Sequence, residues 1–217
     1  LRVEYPKGSG LAYLPGQFFM VSLVDHPQIR VSRAYSVASS PLNTDYIEIG
    51  FDKVGVLTTK LFDMKVGDSL KFKGPYGKFF FDPSYKGDVV LIGAGTGITP
   101  LMSIIRYCTD KGSKNPITLL YSARTPESII YRKEFDGHRD KNPHFGYTVT
   151  LTRPEESQEP WNGKTGRIDE SLLKSSIKNP NSCVVFICGA KEFVFSIIAM
   201  LEGIGIKKEQ IKTDVWG

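Results

Sequence analysis

Across 217 residues the chain carries 28 lysines and arginines against 23 aspartates and glutamates, a formal net charge of +5, with 41% hydrophobic and 24% charged residues. That length holds one large or two modest domains, each able to bury its own core, and the ordinary balance of apolar and charged residues excludes a disordered chain. The positive charge is spread without a long basic block, so nothing points to nucleic acid; anionic cofactors or an acidic partner protein fit better.

The chain opens at Leu1 without a methionine and runs at once into the strand-like LRVEY, from which we expect that an N-terminal piece has been trimmed. Gln17–Val24, Ser32–Ala38, Tyr46–Phe51 and Ser69–Lys73 are short runs rich in β-branched and aromatic residues, separated by turn signals such as PG at 15–16 and GPYG at 74–77. This pattern predicts an antiparallel β-barrel or sandwich. Gly55–Phe62 breaks it: apolar residues at 57, 61 and 62 fit one or two helical turns, and a helix wedged into a barrel closes an end or meets a ligand. In Arg33-Ala34-Tyr35-Ser36, strand alternation sends Arg33 and Tyr35 to one face and Ala34 and Ser36 to the other. A cation beside an aromatic ring can receive a flat ligand carrying a phosphate; the pair also suits a solvated strand face.

A turn-rich PSYKG at 83–87 marks a boundary, giving domains at 1–85 and 86–217. Asp88–Pro100 (DVVLIGAGTGITP) then reads as a buried strand that enters a glycine turn, with Thr99 expected to cap the following helix and Pro100 to sit in its first turn. Glycines at 93, 95 and 97 let phosphates approach bare amides, and the helix dipole attracts an anion. The spacing is GxGxG, which departs from the standard GxGxxG dinucleotide fingerprint, and glycines also serve ordinary turns. Helices are predicted over Pro100–Asp110, Pro126–Arg139, Asp169–Ile177 and Lys191–Gly203, alternating with strands over Ile117–Ser122, Tyr147–Thr152, Cys183–Cys188 and Ile211–Trp216. Alternation of this kind predicts an α/β unit with a parallel five-stranded sheet covered on both faces.

Cys108, Cys183 and Cys188 sit inside apolar segments, which fits a reducing compartment. The C-x4-C spacing of Cys183 and Cys188 resembles the opening of an iron–sulfur site, but Lys191 holds the third ligand position, so no metal or cluster site is expected. The longest apolar stretch, Phe193–Leu201, is too short to span a bilayer, and a cytoplasmic protein is expected.

RAYSVAS (33–39), VGVLTTKL (54–61), GPYGKF (74–79), GAGTGITP (93–100), FICG (186–189) and TDVW (213–216) occur in the order and at the spacing of the ferredoxin-NADP reductase family, which the chain resembles over nearly its whole length. The resemblance implies FAD in the barrel. Arg33 would contact the pyrophosphate, Tyr35 would lie against the isoalloxazine ring, and Ser36 would sit near the nitrogen that accepts hydride. Gly55, Val56, Leu57 and Thr58 would offer helix N-terminal amides, Thr58 being readable also as a cap. Gly95, Thr96 and Gly97 would approach the pyridine nucleotide, with Cys188 and Gly189 at the nicotinamide end. Cys188 would act as a spacer, unless it is simply a small buried residue. In the terminal TDVW, Asp214 stands where the family commonly has Glu, one methylene longer, which puts a proton-relay role in doubt. Trp216 would cover the flavin face, or be a core Trp at a sheet edge.

Flavin with nicotinamide implies hydride transfer from NAD(P)H to FAD and onward passage of electrons to a separate acceptor such as a ferredoxin, an oxygenase component or a haem protein. Rival readings are a free-flavin reductase, an electron-transfer subunit of a larger hydrogenase or dehydrogenase complex, and a regulatory module without turnover. For the coenzyme, Thr152-Arg153 resembles a Ser-Arg pair that holds a 2′-phosphate and tilts the expectation to NADPH over NADH; Arg124 follows the second strand in place of an NAD-selecting acid, but many NADH-using relatives also carry an arginine there. Glu155 and Glu156 follow at once and could pair with Arg153 instead.

Overall fold

A computed structural model of the chain describes residues 1–25, 29 and 31–216. In the N-terminal part, strands β1 (Arg2–Glu4), β2 (Phe18–Leu23), β3 (Arg33–Ser36) and β4 (Tyr46–Glu48) are followed by helix α1 (Val56–Asp63) and strand β5 (Leu70–Tyr76). All pair antiparallel: β1 with β4, and β2 between β3 and β5. The expected barrel is not closed among the described residues; the strands form two small sheets joined by a Val37–Ile49 bridge. Strands of three or four residues and a register shift between Phe18 and Met20 leave too few consecutive partners for one continuous ladder.

The C-terminal part alternates as expected: β6 (Asp88–Ala94), α2 (Ile98–Lys111), β7 (Ile117–Ala123), α3 (Arg132–Lys141), β8 (Phe145–Leu151), β9 (Lys164–Thr165), α4 (Glu170–Ser176), β10 (Cys183–Ala190), α5 (Lys191–Gly203) and β11 (Ile211–Trp216). Its parallel sheet has six strands, not five, in the order β11-β10-β6-β7-β8-β9. The extra strand is the polar pair Lys164-Thr165 on the exposed edge, held to Thr150 and Leu151. Two exposed polar residues carry no periodicity, so the sequence could not announce them.

The helix expected over Pro126–Arg139 is divided. A 3-10 turn covers Pro126–Ser128, and α3 starts only at Arg132, after Tyr131 in the left-handed region at φ 60°. The interruption buries Ile129 and turns the Tyr131 ring against the Arg106 guanidinium, whose Cζ lies 4.8 Å from the ring centre. Tertiary burial here overrides an unbroken amphipathic pattern.

One face of the parallel sheet packs under α2 and α3, the other under α4 and α5. The first core continues into the N-terminal part through Ala38, Phe79 and Phe81, with the Phe79 and Phe186 rings 5.3 Å apart, edge to face. The two parts therefore share apolar packing. No helix among the described residues is long and apolar enough to cross a membrane.

Candidate functional site

In the order β11-β10-β6-β7, the two strands that flank β6 both follow it in the chain, β7 on one side and β10 on the other, so the winding reverses direction at β6. Open parallel sheets bind ligands at the carboxyl ends of such strands. Here those ends carry the Gly95–Gly97 turn after β6 and Cys188-Gly189 in β10. Gly95 needs its glycine for a positive φ of 53°. Gly97 needs it for space: a Cβ there would run into the Cys188 carbonyl and lie 2.7 Å from the Trp216 ring. The turn is a 3-10 segment, and α2 begins at Ile98 with Gly97 as its N-cap. Thr99 is thus not the cap; its hydroxyl donates back to the Thr96 carbonyl at 2.8 Å.

Parallel pairing sets Cys188 beside Asp214 and Ala190 beside Trp216. One carboxylate oxygen of Asp214, Oδ2, accepts from the Ser36 hydroxyl at 3.3 Å and lies 3.8 Å from the Cys188 thiol. Three residues singled out in three separate sequence segments meet at this oxygen. Burial raises the Asp214 pKa above its ordinary value, against the hydrogen bonds from Ser36 and Cys188. Burial also pushes the Cys188 thiol well up, and the neighbouring Asp214 adds to it. The thiol stays protonated at neutral pH, which fits a spacer and argues against a nucleophile. Trp216 is 38% exposed, so it is not a core residue, and it stands over the Gly97–Cys188 junction. On its other side Asp214 borders a cavity of about 380 Å³ lined also by Phe18, Lys78, Phe79 and Lys212.

Along β3 from Ser36, Tyr35 is half-buried with its ring 5.7 Å from that of Phe51, and Arg33 is exposed. The Arg33 guanidinium donates to the Ser32 carbonyl and forms no ion pair among the described residues. At α1, Gly55 opens onto empty space and Val56 is exposed, whereas the Leu57 and Thr58 side chains are buried. The Thr58 hydroxyl accepts from the Val54 and Gly55 amides at 2.9 Å, so it organises the helix start and leaves the next amides free for an anion. A free guanidinium, helix amides and a half-buried ring next to Ser36 make a donor set that fits a flavin dinucleotide.

Arg124 and Arg153 end β7 and β8 side by side, the Arg153 amide donating to the Arg124 carbonyl at 2.9 Å. Both are exposed, and Arg153 pairs with Glu156 at 3.3 Å. Gly189 is buried, its missing side chain occupied by the Phe193 ring.

Sequence reasoning missed Arg106. It lies in α2 among residues that are buried without exception from Ile98 to Cys108, and an arginine inside such a run is the signal that could have found it. Its guanidinium reaches Glu48 at 2.8 Å, Glu134 at 2.8 Å and the Ala38 carbonyl at 2.9 Å.

Fold and site together define a two-part oxidoreductase with an FAD-binding and an NAD-binding unit. Residues 1–81 match the family described as oxidoreductase FAD-binding domain, and residues 91–197 the one described as oxidoreductase NAD-binding domain. The chain belongs to the ferredoxin-NADP reductase-like FAD- and NAD-binding oxidoreductases.

It is 32% identical over 212 residues to a component of the Na(+)-translocating NADH-quinone reductase of Marinomonas sp. (strain MWYL1), the polypeptide designated F, with 91% of this chain and 51% of the relative covered. The chain spans about half the length of the curated relatives it matches. Among solved structures, the ferredoxin reductase in carbazole 1,9a-dioxygenase is 28% identical with a TM-score of 0.79, covering 94% of this chain and 60% of that one. A ferredoxin NADP+ reductase from Neisseria gonorrhoeae with bound FAD and NADP shares the fold, with a TM-score of 0.77 at 21% identity, covering 99% and 90%.

Proposed function

We propose that this chain, with FAD held by residues 1–85 and a reduced nicotinamide by residues 86–217, passes electrons from the nicotinamide through the flavin to a separate acceptor. The carrying observation is the meeting of Ser36 and Cys188 on one oxygen of Asp214, where the strand that carries Ser36 meets the ends of β10 and β11. FAD, when bound, supplies the hydride-accepting and electron-releasing chemistry. Arg33 and the α1 amides hold its pyrophosphate, and Tyr35 orients the ring. Ser36 presents a hydroxyl whose proton is shared with Asp214. The small Cys188 leaves room for the nicotinamide, Gly97 lets its turn close on β10 and Gly189 packs on Phe193 beside it, and Trp216 covers the junction until the nicotinamide arrives. The raised Asp214, open to the neighbouring cavity, can exchange a proton with solvent.

The coenzyme we favour is NADH. The sequence tilted to NADPH on a free Arg153, but that guanidinium is engaged by Glu156, and relatives at 31–32% identity are named as parts of an NADH-quinone reductase. The same similarity supports a second reading, an electron-transfer subunit working within a larger assembly; the ferredoxin reductase likeness supports a ferredoxin or oxygenase acceptor.

The test is flavin retention. Arg33→Ala removes a charge-assisted partner of the pyrophosphate worth about 1.5–3 kcal/mol, or roughly 10- to 150-fold in affinity. The flavin-to-protein ratio after gel filtration is expected near one for the wild type and well below one for the variant. A variant that keeps its full ratio overturns the assignment of Arg33, and a wild type that binds no FAD overturns the function.

A further inference from the structure

We propose that Arg106, which lines neither cofactor site, is a positioning residue that sets the distance between flavin and nicotinamide by clamping α2 to the flavin strand. The inference rests on the function proposed above.

Helix α2 grows directly from the Gly95–Gly97 turn, so wherever α2 sits, the nicotinamide turn sits too. Arg106 lies roughly 14 Å further along the helix axis at 1.5 Å rise per residue. There its NH1 donates to the Ala38 carbonyl at 2.9 Å and to Glu48 at 2.8 Å, both in the N-terminal part. Its Nε and NH2 donate to both oxygens of Glu134 on α3 at 2.8–3.2 Å. One turn earlier the Ser103 hydroxyl donates to the Ser39 carbonyl at 2.8 Å. Ala38 and Ser39 directly continue the strand that carries Ser36, so the backbone holding the flavin is bound through two side chains to the helix holding the glycine turn.

Apolar packing alone would leave the two parts free to slide, because dispersion and area burial have no preferred direction. A planar guanidinium bonded on one edge to β4 and the post-β3 backbone, and on the other to α3, has one geometry only. The Tyr131 ring, held in a left-handed backbone position, closes over its face. Glu48 is further fixed by Arg2 Nε at 2.7 Å. The residues facing the guanidinium are thus Glu48, Glu134, Tyr131 and the Ala38 carbonyl: NH1 reaches across to the N-terminal part, while Nε and NH2 on Glu134 fix the group within its own part. Hydride transfer is steep in donor–acceptor distance, so a small slip at this clamp reaches the site as a rate.

The experiment uses full-length, FAD-loaded protein with Arg106→Lys and Ser103→Ala. Lysine keeps the charge but is a point donor that cannot serve Glu48, Ala38 and Glu134 together. For Arg106→Lys the limiting rate of flavin reduction at saturating NADH is expected to fall about tenfold or more, with FAD content and NADH Kd within about twofold of wild type. The long-wavelength charge-transfer absorbance between flavin and nicotinamide, which reports their stacking and not turnover, is expected to weaken in parallel. Ser103→Ala, which leaves every charge in place, is expected to shift both readouts in the same direction by less. A wild-type limiting rate and charge-transfer band in folded Arg106→Lys overturn the clamp, as does an unaltered Ser103→Ala if the lysine variant does not fold. Failure of the parent function is distinguishable, since it appears already in the wild type as absent FAD or absent reduction by NADH.

Discussion

Ser36 and Asp214, 178 residues apart, are joined by a hydrogen bond of 3.3 Å from hydroxyl to carboxylate, and the Cys188 thiol approaches the same oxygen at 3.8 Å. A half-buried carboxylate with two neutral donors and no ion-pair partner among the described residues is unfavourable when ionised, and burial raises its pKa.

The stability consequence has a definite sign. A carboxyl whose folded pKa lies above its unfolded value of 3.8 contributes stability that is complete below 3.8 and is lost as pH rises through the folded pKa. Asp214→Asn removes that loss. The urea midpoint of the variant relative to wild type is therefore expected to improve between pH 3 and pH 7; a difference that does not change with pH would falsify the raised pKa.

Gly97→Ala tests the close approach of the Gly95–Gly97 turn to β10. The new methyl meets the Cys188 backbone, which cannot yield as a flexible side chain would, and crowds Trp216. Overpacking of this kind costs about 1–3 kcal/mol, a fall in Tm of roughly 2–12 °C for a chain of this size. Thermal melts of the apo and FAD-loaded protein check it, and an unchanged Tm would show that the turn is looser than described.

Glu48 responds to acid in the opposite sense to Asp214. Burial works to raise its pKa, but hydrogen bonds and charge from Arg2 and Arg106 outweigh burial and hold it below the ordinary 4.5. Its contribution is present above 4.5 and disappears as pH falls through the lower folded value. Glu48→Gln leaves the Arg106 guanidinium paired with Glu134 alone and is expected to cost about 1–3 kcal/mol at pH 7. That cost should shrink on acidification, because the wild type loses the same interaction; chemical denaturation at pH 7 and pH 4 compares the two.

Coenzyme choice turns on Arg153 and Glu156, a pair about half exposed on both sides. Such a pair is worth under about 1 kcal/mol, so releasing the arginine can shift the ratio of kcat/KM for NADPH over NADH by at most about fivefold. Wild type is expected to prefer NADH, and Glu156→Ala to raise the ratio toward that limit. Should Arg153→Ala sharply reduce NADPH use while Glu156→Ala does nothing, Arg153 is a phosphate ligand in spite of its partner.

Much of the α/β part was legible because its strands are continuous apolar runs and its helices carry a 3.6-residue period; Lys191–Gly203 and Ile211–Trp216 match the observed elements at both ends. The six motifs pointed to the candidate site, since glycine spacing and a cation beside an aromatic ring are local chemistry. Lys164-Thr165 as a sheet edge and the break before Arg132 were not legible. The first has no apolar pattern, and the second is caused by what Ile129 and Tyr131 pack against, which lies elsewhere in the chain.

By itself, then, the sequence determined the order of elements, the division into a β part and an α/β part, and the residue types at each ligand-facing turn, all properties of a few neighbouring residues. Only the tertiary structure decided that Ser36, Cys188 and Asp214 share one oxygen, that Arg106 joins the two parts, and that Arg153 is already paired. Those are distances between segments far apart in the chain, set by strand register and by packing between layers, and no local pattern encodes either one.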